Sequence, residues 1–408
     1  MVRRTLLAFI LCGSWGYTQE PCCVLGLDKE APDPAKLHKQ RCPRPKRFAL
    51  VFSFGYAGDL MPKEDDRFDT LLAKIKVAGF NTIHCPYSRG RLALCKKRGV
   101  QMMIDLLAPE AHVYNSPDKA KALCEKLRGD PDVWGYNIWN DPIRKTTPGR
   151  IRDIDNVRLW DPTHPAFCGT YRTDGMRTLD NPDAFGYYDF HWKRGLAQHF
   201  PHLVTFAGWA RERNAWFYSW LSVTSGAPGK GNYNRCLWSA NTAIAAGQKG
   251  ILWFLATDMM DKKTLEWTQI GQDIARVHDA IAPLADELAQ LESIALYATP
   301  VTKSPNNEPL AREAMPAGLE RNVAPRDFWA QPLSGEVLLG VFKDRGGRDA
   351  LYIANHNAYA EQEVKLKLGP ERRASLFQHG KWTPAEMKDG VLRLPLPPAA
   401  AALLRLEK

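Results

Sequence analysis

The chain has 408 residues, 45% of them hydrophobic and 25% charged, which excludes a disordered segment and leaves enough apolar surface for a substantial core. Lys and Arg exceed Asp and Glu by 55 − 45 = 10, and the excess is spread along the chain rather than gathered into a basic arm, so nucleic acid is not an expected partner. The charge favours acidic or sulfated polymers modestly.

Arg3 and Arg4 precede an apolar run, Thr5 to Cys12, that is too short to span a bilayer, and Ser14 and Gly16 then offer a small-x-small cleavage site. Residues 1–16 therefore read as a signal peptide, and the mature chain as secreted or periplasmic. No later stretch approaches the roughly 18 apolar residues of a membrane helix. Residues 17–46, rich in Pro, Lys and Cys without periodicity, read as an N-terminal leader. Nine cysteines occur, and eight remain after cleavage; Cys85, Cys168 and Cys236 lie in apolar segments that favour buried free thiols. No C-x-x-C or His-rich spacing suggests zinc, and no disulfide connectivity or oligomeric state is legible.

From Phe48 the chain alternates strand and helix. Phe48–Gly55 reads as a first strand and Lys63–Gly79 as a first helix, with Asp65 and Asp66 near its start and Gly79 as a stop. Strands at Asn81–Pro86, Val100–Ala108 and Val133–Pro142 follow, separated by helices at Arg89–Gly99 and Pro117–Gly129. A helix around Gly149–Leu159 leads to a strand at Ala166–Arg172, a short helical connection near Met176–Leu179 and a strand at Phe185–Trp192. A helix at Gly195–Asn214, a strand at Ala215–Val223, a helix at Tyr233–Gly247 and a strand at Gly250–Ala256 complete the series, before a long amphipathic helix from about Thr264 to Leu291. Eight βα units over about 250 residues predict a (β/α)8 TIM barrel across residues 47–292. A doubly wound sheet is disfavoured, because Gly55-Tyr56-Ala57-Gly58 does not supply its Gly-rich phosphate turn.

After Leu291 short strand-like runs recur between turn residues such as Gly346-Gly347 and Lys388-Asp389-Gly390. They predict a C-terminal antiparallel β-sandwich domain over 293–408.

In a barrel of this kind, function gathers at the C-terminal ends of the strands. Those ends carry Tyr56 and Asp59, His84, Asp105, Asn140-Asp141, Arg172 and Asp174, Asp189 with His191 and Trp192, Trp220 with Ser222, and Asp258. Carboxylates and aromatics dominate, without a His-x-His after the first strand or a Lys deep in a strand, which counts against a metal-dependent amidohydrolase and a Schiff-base aldolase. In the fourth strand, strict alternation places Asn137, Trp139 and Asp141 on one face and Tyr136, Ile138 and Asn140 on the other.

Two passages carry a resemblance. Trp134-Gly-Tyr-Asn-Ile-Trp-Asn-Asp-Pro142 resembles the fourth-strand motif of clan A barrel glycoside hydrolases, in which an Asn-Glu-Pro or Asp-Glu-Pro triplet carries the general acid/base. Ala243-Ile-Ala-Ala-Gly-Gln-Lys-Gly-Ile-Leu-Trp-Phe254 is similar to the passage from the seventh helix to the eighth strand in β-galactosidase-like barrels. The resemblance implies a carbohydrate substrate, no cofactor and Asp141 as general acid/base. The chain departs from the pattern at Asp141, one methylene shorter than Glu, and at the seventh strand, where Trp216-Phe-Tyr-Ser-Trp-Leu-Ser-Val223 holds no Glu nucleophile.

Cleavage of a glycosidic bond uses two carboxyl groups, and their separation, about 5 against 6.5–9.5 Å, separates retention from inversion. Asp189 is the expected partner of Asp141, with Tyr187 and His191 on its face, an arrangement that resembles the Asp pair of α-galactosidase-type barrels; Asp258 and Asp105 are the fallbacks. Asn137, Asn140, His191, Tyr56, Trp139 and Trp192 are expected around the sugar, with Trp220 and Trp253 as further stacking candidates. The reading is an exported glycoside hydrolase. Its rivals are a catalytically degenerate barrel that binds glycans and a metal-assisted hydrolase built on Asp189 and His191.

Overall fold

The computed structural model describes residues 45, 47–54, 61–108, 116–140, 147–170, 183–189, 192, 196–223, 233–369 and 373–407, without the side chains of 139, 140 and 147–152. The signal peptide, the leader up to residue 44 and the short helix expected near 176–179 lie outside the described residues.

Eight strands, β1 (Ala49–Ser53), β2 (Thr82–Cys85), β3 (Gln101–Asp105), β4 (Val133–Asn140), β5 (Ala166–Thr170), β6 (Ala184–Asp189), β7 (Trp216–Ser222) and β8 (Gly250–Phe254), form a closed parallel barrel in sequence order. The ring shuts where Ala49 to Phe52 register with Gly250 to Trp253. Helices α1 (Asp65–Val77), α2 (Arg89–Arg98), α3 (Pro117–Leu127), α4 (Thr147–Trp160), α5 (His199–Glu212) and α6 (Tyr233–Ala245) connect the strands. Helix α1 shows why: Phe68, Leu71, Leu72 and Ile75 are buried at i, i+3, i+4 and i+7, while Asp65 and Asp66 complement the N-terminal end of the dipole and Lys74 and Lys76 the C-terminal end. In α2 the Ser88 hydroxyl accepts from the Arg91 amide, and Gly99 ends the helix in the left-handed conformation.

Most barrel strands are apolar on both faces, as a sheet covered by helices outside and packed within requires, whereas β2 turns Thr82 and His84 inward. Leu50, Phe52, Ile83, Met102, Ile104, Tyr136 and Ile138 belong to the outer core against the helices. Ala49, Val51, Met103, Trp134, Phe167, Tyr188, Tyr218, Trp220 and Leu252 form a separate cluster inside the barrel. The lumen is a packed aromatic plug rather than a channel.

The helix expected over 264–291 is broken. A one-turn helix α7 (Ala256–Met259) is followed by α8 (Gln269–Ile281), a 3-10 turn over Ala282–Leu284 and α9 (Ala285–Gln290). Thr268 caps α8 by accepting from the Gly271 amide, and Pro283, which has no N–H to donate, interrupts the regular ladder beyond it.

The C-terminal region is all β. A six-stranded antiparallel sheet is built from β9 (Glu292–Ala298), β13 (Val337–Lys343), β14 (Asp349–Asn355), β16 (Ala374–Gln378), β17 (Lys381–Pro384) and β20 (Ala401–Leu406). A four-stranded sheet of β12 (Ala330–Ser334), β15 (Gln362–Leu368), β18 (Met387–Lys388) and β19 (Val391–Leu396) faces it, and β10 (Val301–Lys303) pairs with β11 (Pro309–Ala314) as a separate hairpin. Alternation in β13 does two jobs: Val337, Leu339 and Val341 enter the sandwich core, whereas Leu338 and Phe342 join the barrel's outer core. Both faces of β13 and β14 are therefore buried, which is why these two strands read as near-continuous apolar runs. Among the described residues no helix is long and apolar enough to cross a membrane.

Candidate active site

At the C-terminal end of the barrel the interior turns polar on one side. Ser53, His84 and Asp105 come from the ends of β1, β2 and β3, each two residues beyond an inward residue, Val51, Thr82 or Met103; Asn137, in the body of β4, pairs with Asp105 and lies three residues beyond inward Trp134, across a register shift of β4 against β3, and all four are buried. The Ser53 hydroxyl lies 3.0 Å from His84 Nδ1. On the other side of the ring, His84 Nε2 stands 4.0 Å from Asp105 Oδ1. The same Oδ1 accepts from Asn137 Nδ2 at 3.2 Å and from the Leu107 amide at 3.1 Å. All of these contacts fall on one carboxylate oxygen, and the Asp105 side chain keeps 9% of its surface exposed. Burial pushes the His84 imidazole below its ordinary value, against the smaller upward pull of Asp105, so the ring is neutral at physiological pH.

Trp220 closes the opposite side. Its ring meets His84 edge-on at 5.6 Å, Tyr188 at 5.2 Å and Phe254 at 5.8 Å. Small residues make this possible: a Cβ on Gly186 would lie 2.8 Å from Trp220 Cδ1, and one on Gly169 would lie 2.9 Å from Trp220 Nε1. Strand β7, Trp216–Ser222, carries no carboxylate, and Trp220 is an inward residue of it at this level.

Three polar atoms in this layer, His84 Nε2, Asn137 Oδ1 and Trp220 Nε1, are buried with no hydrogen-bond partner among the described residues. Folded proteins pair nearly all buried polar atoms, and an orphan costs about 1–3 kcal/mol. All three stand in the one layer at the C-terminal end of the barrel. Among the described residues, no group of three or more His, Cys, Asp or Glu is arranged to hold a metal ion.

Asp189 lies elsewhere. In β6 the inward residues are Ala184 and Tyr188, while Phe185 and Tyr187 belong to the outer core. Tyr187 stacks on Phe206 of α5 at 4.9 Å, and Asp189 follows the same outward phase: its Oδ2 lies 2.9 Å from Nδ1 of His199, at the start of α5, with both side chains buried. The expectation that Asp189 and Tyr187 share a pocket-facing surface is thereby corrected. The phase of the strand puts them behind the barrel wall, and His199, ten residues on, engages the carboxylate.

The alternation expected for β4 is corrected as well. The register against β5 shifts between Asn137 and Trp139, so that Asn137 sits opposite Phe167, Trp139 opposite Cys168 and Asn140 opposite Gly169. Two residues of β4 there oppose one of β5, a bulge that period-2 reasoning cannot foresee. Asn137 keeps its inward place, and the side chains of 139 and 140 beyond the bulge lie outside the described residues. Trp192 is half-buried on the outer side of α6, donating to Ser239 Oγ at 2.8 Å. Trp253 is fully buried against α8, its N–H donated to His278 Nε2 at 2.7 Å, and serves the core. Asp258 is exposed on α7. Tyr56, Asp141 and His191, and the side chains of Trp139 and Asn140, lie outside the described residues.

Sequence reasoning missed Ser53 and His199. Ser53 was findable as the one polar residue of the run FALVFSFG, two and four places from inward-facing Val51 and Ala49. His199 gave no such signal, being one of several polar residues before an apolar helix.

No family model matches the sequence, and no curated protein matches it. Solved structures do. The chain is similar to a glycoside hydrolase family 5 protein from Bacteroides vulgatus ATCC 8482, with 11% identity over 92% of this chain and 95% of that one and a TM-score of 0.56. It is also similar to a structure described as a glycoside hydrolase, with 10% identity over 92% of this chain and 98% of that one and a TM-score of 0.53. At this level of identity the likeness shows the fold alone, a closed (β/α)8 barrel followed by antiparallel sheets.

Proposed function

We propose that the chain is a glycoside hydrolase that works at the barrel mouth, with Asp105 and Asp141 as its carboxyl pair. The observation that carries this reading is the polar ring of Ser53, His84, Asp105 and Asn137, with its orphan atoms, at the end of the barrel where enzymes of this fold act. Asp189 is engaged behind the wall, which leaves Asp105 as the described carboxylate on the inward face. Asp141 follows β4 directly and keeps the acid role that its Asn-Asp-Pro setting suggests.

In this reading Asp141 delivers a proton to the departing glycosidic oxygen, and Asp105 attacks or activates water at the anomeric carbon. Asn137 and the Leu107 amide hold Asp105 in place through Oδ1. Neutral His84, Asn137 and the Trp220 N–H receive substrate hydroxyls. The substrate is a poly- or oligosaccharide, with acidic or sulfated glycans favoured by the net charge of +10. Residues 1–16 direct export, so the enzyme acts outside the cytoplasm.

The test is turnover on a panel of aryl glycosides and polysaccharides. Asp105→Asn and Asp141→Asn should each lower kcat/KM by roughly 10²–10⁴ with the fold retained by circular dichroism. Glycan binding without turnover on any substrate would replace the enzyme by a binding barrel. Turnover that survives both substitutions would move the chemistry to other groups.

A further inference from the structure

Outside the barrel wall, where the sandwich hairpin β10–β11 leans on α5 and α6, the structure holds a two-chambered slot. An outer chamber of about 310 Å³ and an inner one of about 300 Å³ share Leu196, Ser304 and Pro305 as common lining. Each is large enough for a small ligand.

The chambers differ in chemistry. The outer one is lined by Trp192, Arg235, Asn306 and Glu308, which together offer one cation, one anion, an amide and an indole. Asn306 Oδ1 is buried with no partner among the described residues. Arg235 lies over the Trp192 ring at 4.9 Å and donates to the Tyr359 hydroxyl at 2.7 Å. Matched charges with both donors and acceptors suit an uncharged polyhydroxyl group better than a carboxylate or an ammonium ion.

The inner chamber is walled mainly by Phe200, Trp238, Val301, Leu310 and Met315, with Lys303 and His356 also in its lining. The imidazole is 2% exposed, lies against Phe200 at 5.7 Å and has an Nδ1 with no partner in the protein. Trp238 donates to the His356 carbonyl, and Asn357 holds the β10–β11 turn through the Ser304 carbonyl and Asn307, so the slot is built from pinned pieces. A neutral imidazole in the lining of a mainly apolar chamber tolerates an alkyl or aryl group and rewards one that offers a hydrogen bond.

We propose that this junction is a second ligand site, separate from the barrel mouth, that takes an amphipathic glycoside, with the sugar head in the outer chamber and an alkyl or aryl aglycone in the inner one. It does not depend on the catalytic reading, since none of its residues belongs to the barrel interior.

Calorimetric titration with octyl and hexyl glucoside below their micelle concentrations, with glucose and with octanoate, tests the proposal. Octyl glucoside should saturate one site, bind roughly tenfold tighter than hexyl glucoside from two added methylenes, and outbind both glucose and octanoate. Leu310→Asp, on an exposed strand where folding is not at stake, should weaken binding at least tenfold, and Asn306→Ala should erase the preference for the glucoside over octanoate. Binding should persist in Asp105→Asn. Absence of saturation, equal affinity for octanoate, indifference to Leu310→Asp, or loss of binding in Asp105→Asn would each overturn the proposal, the last by returning the ligand to the barrel mouth.

Discussion

His84 Nε2 and Asp105 Oδ1 face one another at 4.0 Å across the ends of β2 and β3, too far for a hydrogen bond and close enough for each to shape the other's surroundings. Ser53 holds the far side of the ring at 3.0 Å, so the imidazole is fixed while Nε2 is left to a partner from outside. His84→Leu removes that nitrogen at similar volume and should lower kcat/KM by roughly ten- to hundredfold on any glycoside the wild type cleaves. His84→Gln, which restores a polar atom, should recover part of the loss. Equal rates for all three proteins would reduce His84 to a packing residue.

The indole of Trp220 crosses the lumen because β5 and β6 present no side chain at 169 and 186. A Cβ on Gly186 would fall 2.5 Å from Phe167 Cζ as well as 2.8 Å from Trp220 Cδ1, and both neighbours are fully packed rings. Gly186→Ala should therefore cost about 1–3 kcal/mol, read as a lower urea midpoint, and should shift the tryptophan emission. An unchanged midpoint would mean that the aromatic plug yields easily.

The alternation of strands and helices was legible because each helix carries its own evidence, as the 68-71-72-75 stripe of α1 and the capped ends of α2 show. The sandwich was legible from its turns. The edge hairpin was not, since β11 is exposed along its whole length and buries no apolar face to give a period. At the site, Asp105 and Asn137 were visible as strand-end polar residues, whereas the role of Asp189 was not. An aspartate in a strand that is apolar on both faces reads alike whether it points to the lumen or to the helices. Only the distant His199 decides, and that pairing is tertiary. The β4 bulge is hidden for a related reason: an inserted residue changes the phase without changing the composition.

The thiols at 85, 95, 124, 168 and 236 are all buried, and none of the five is half of a disulfide. Burial pushes Cys85, Cys124 and Cys236 up to about 12, and Cys95 is raised by the same cause. Without access, none should react with a maleimide in the native protein, and all five should react in guanidinium. Peptide mass spectrometry resolves the positions individually. Rapid native labelling at Cys85 or Cys168 would show that the barrel wall opens far below the cost of global unfolding.

His278 fixes its own tautomer. Trp253 can only donate, and it reaches Nε2 at 2.7 Å, so Nε2 is the acceptor and Nδ1 carries the hydrogen that is donated to the Ala78 carbonyl at 2.7 Å. Protonating Nε2 would break the first bond inside the core. Burial accordingly pushes the group from 6.5 down to about 4, with the hydrogen bond to the Ala78 carbonyl pulling the other way and losing. Between those values the unfolded chain binds one proton more than the native protein, so stability rises with pH through that window and is lost as pH falls from 6.5 toward 4. The single group accounts for about 3 kcal/mol at the bottom of the window. His356, pushed down to about 3 with burial as the largest cause, and His84 and His202, shifted in the same direction, steepen the slope with the same sign. Urea midpoints measured from pH 7 to 4 should fall steeply. In His278→Gln the midpoint should start lower, from lost packing, and fall less. If wild type and variant lose stability in parallel over that range, the imidazole is not the group that resists the proton.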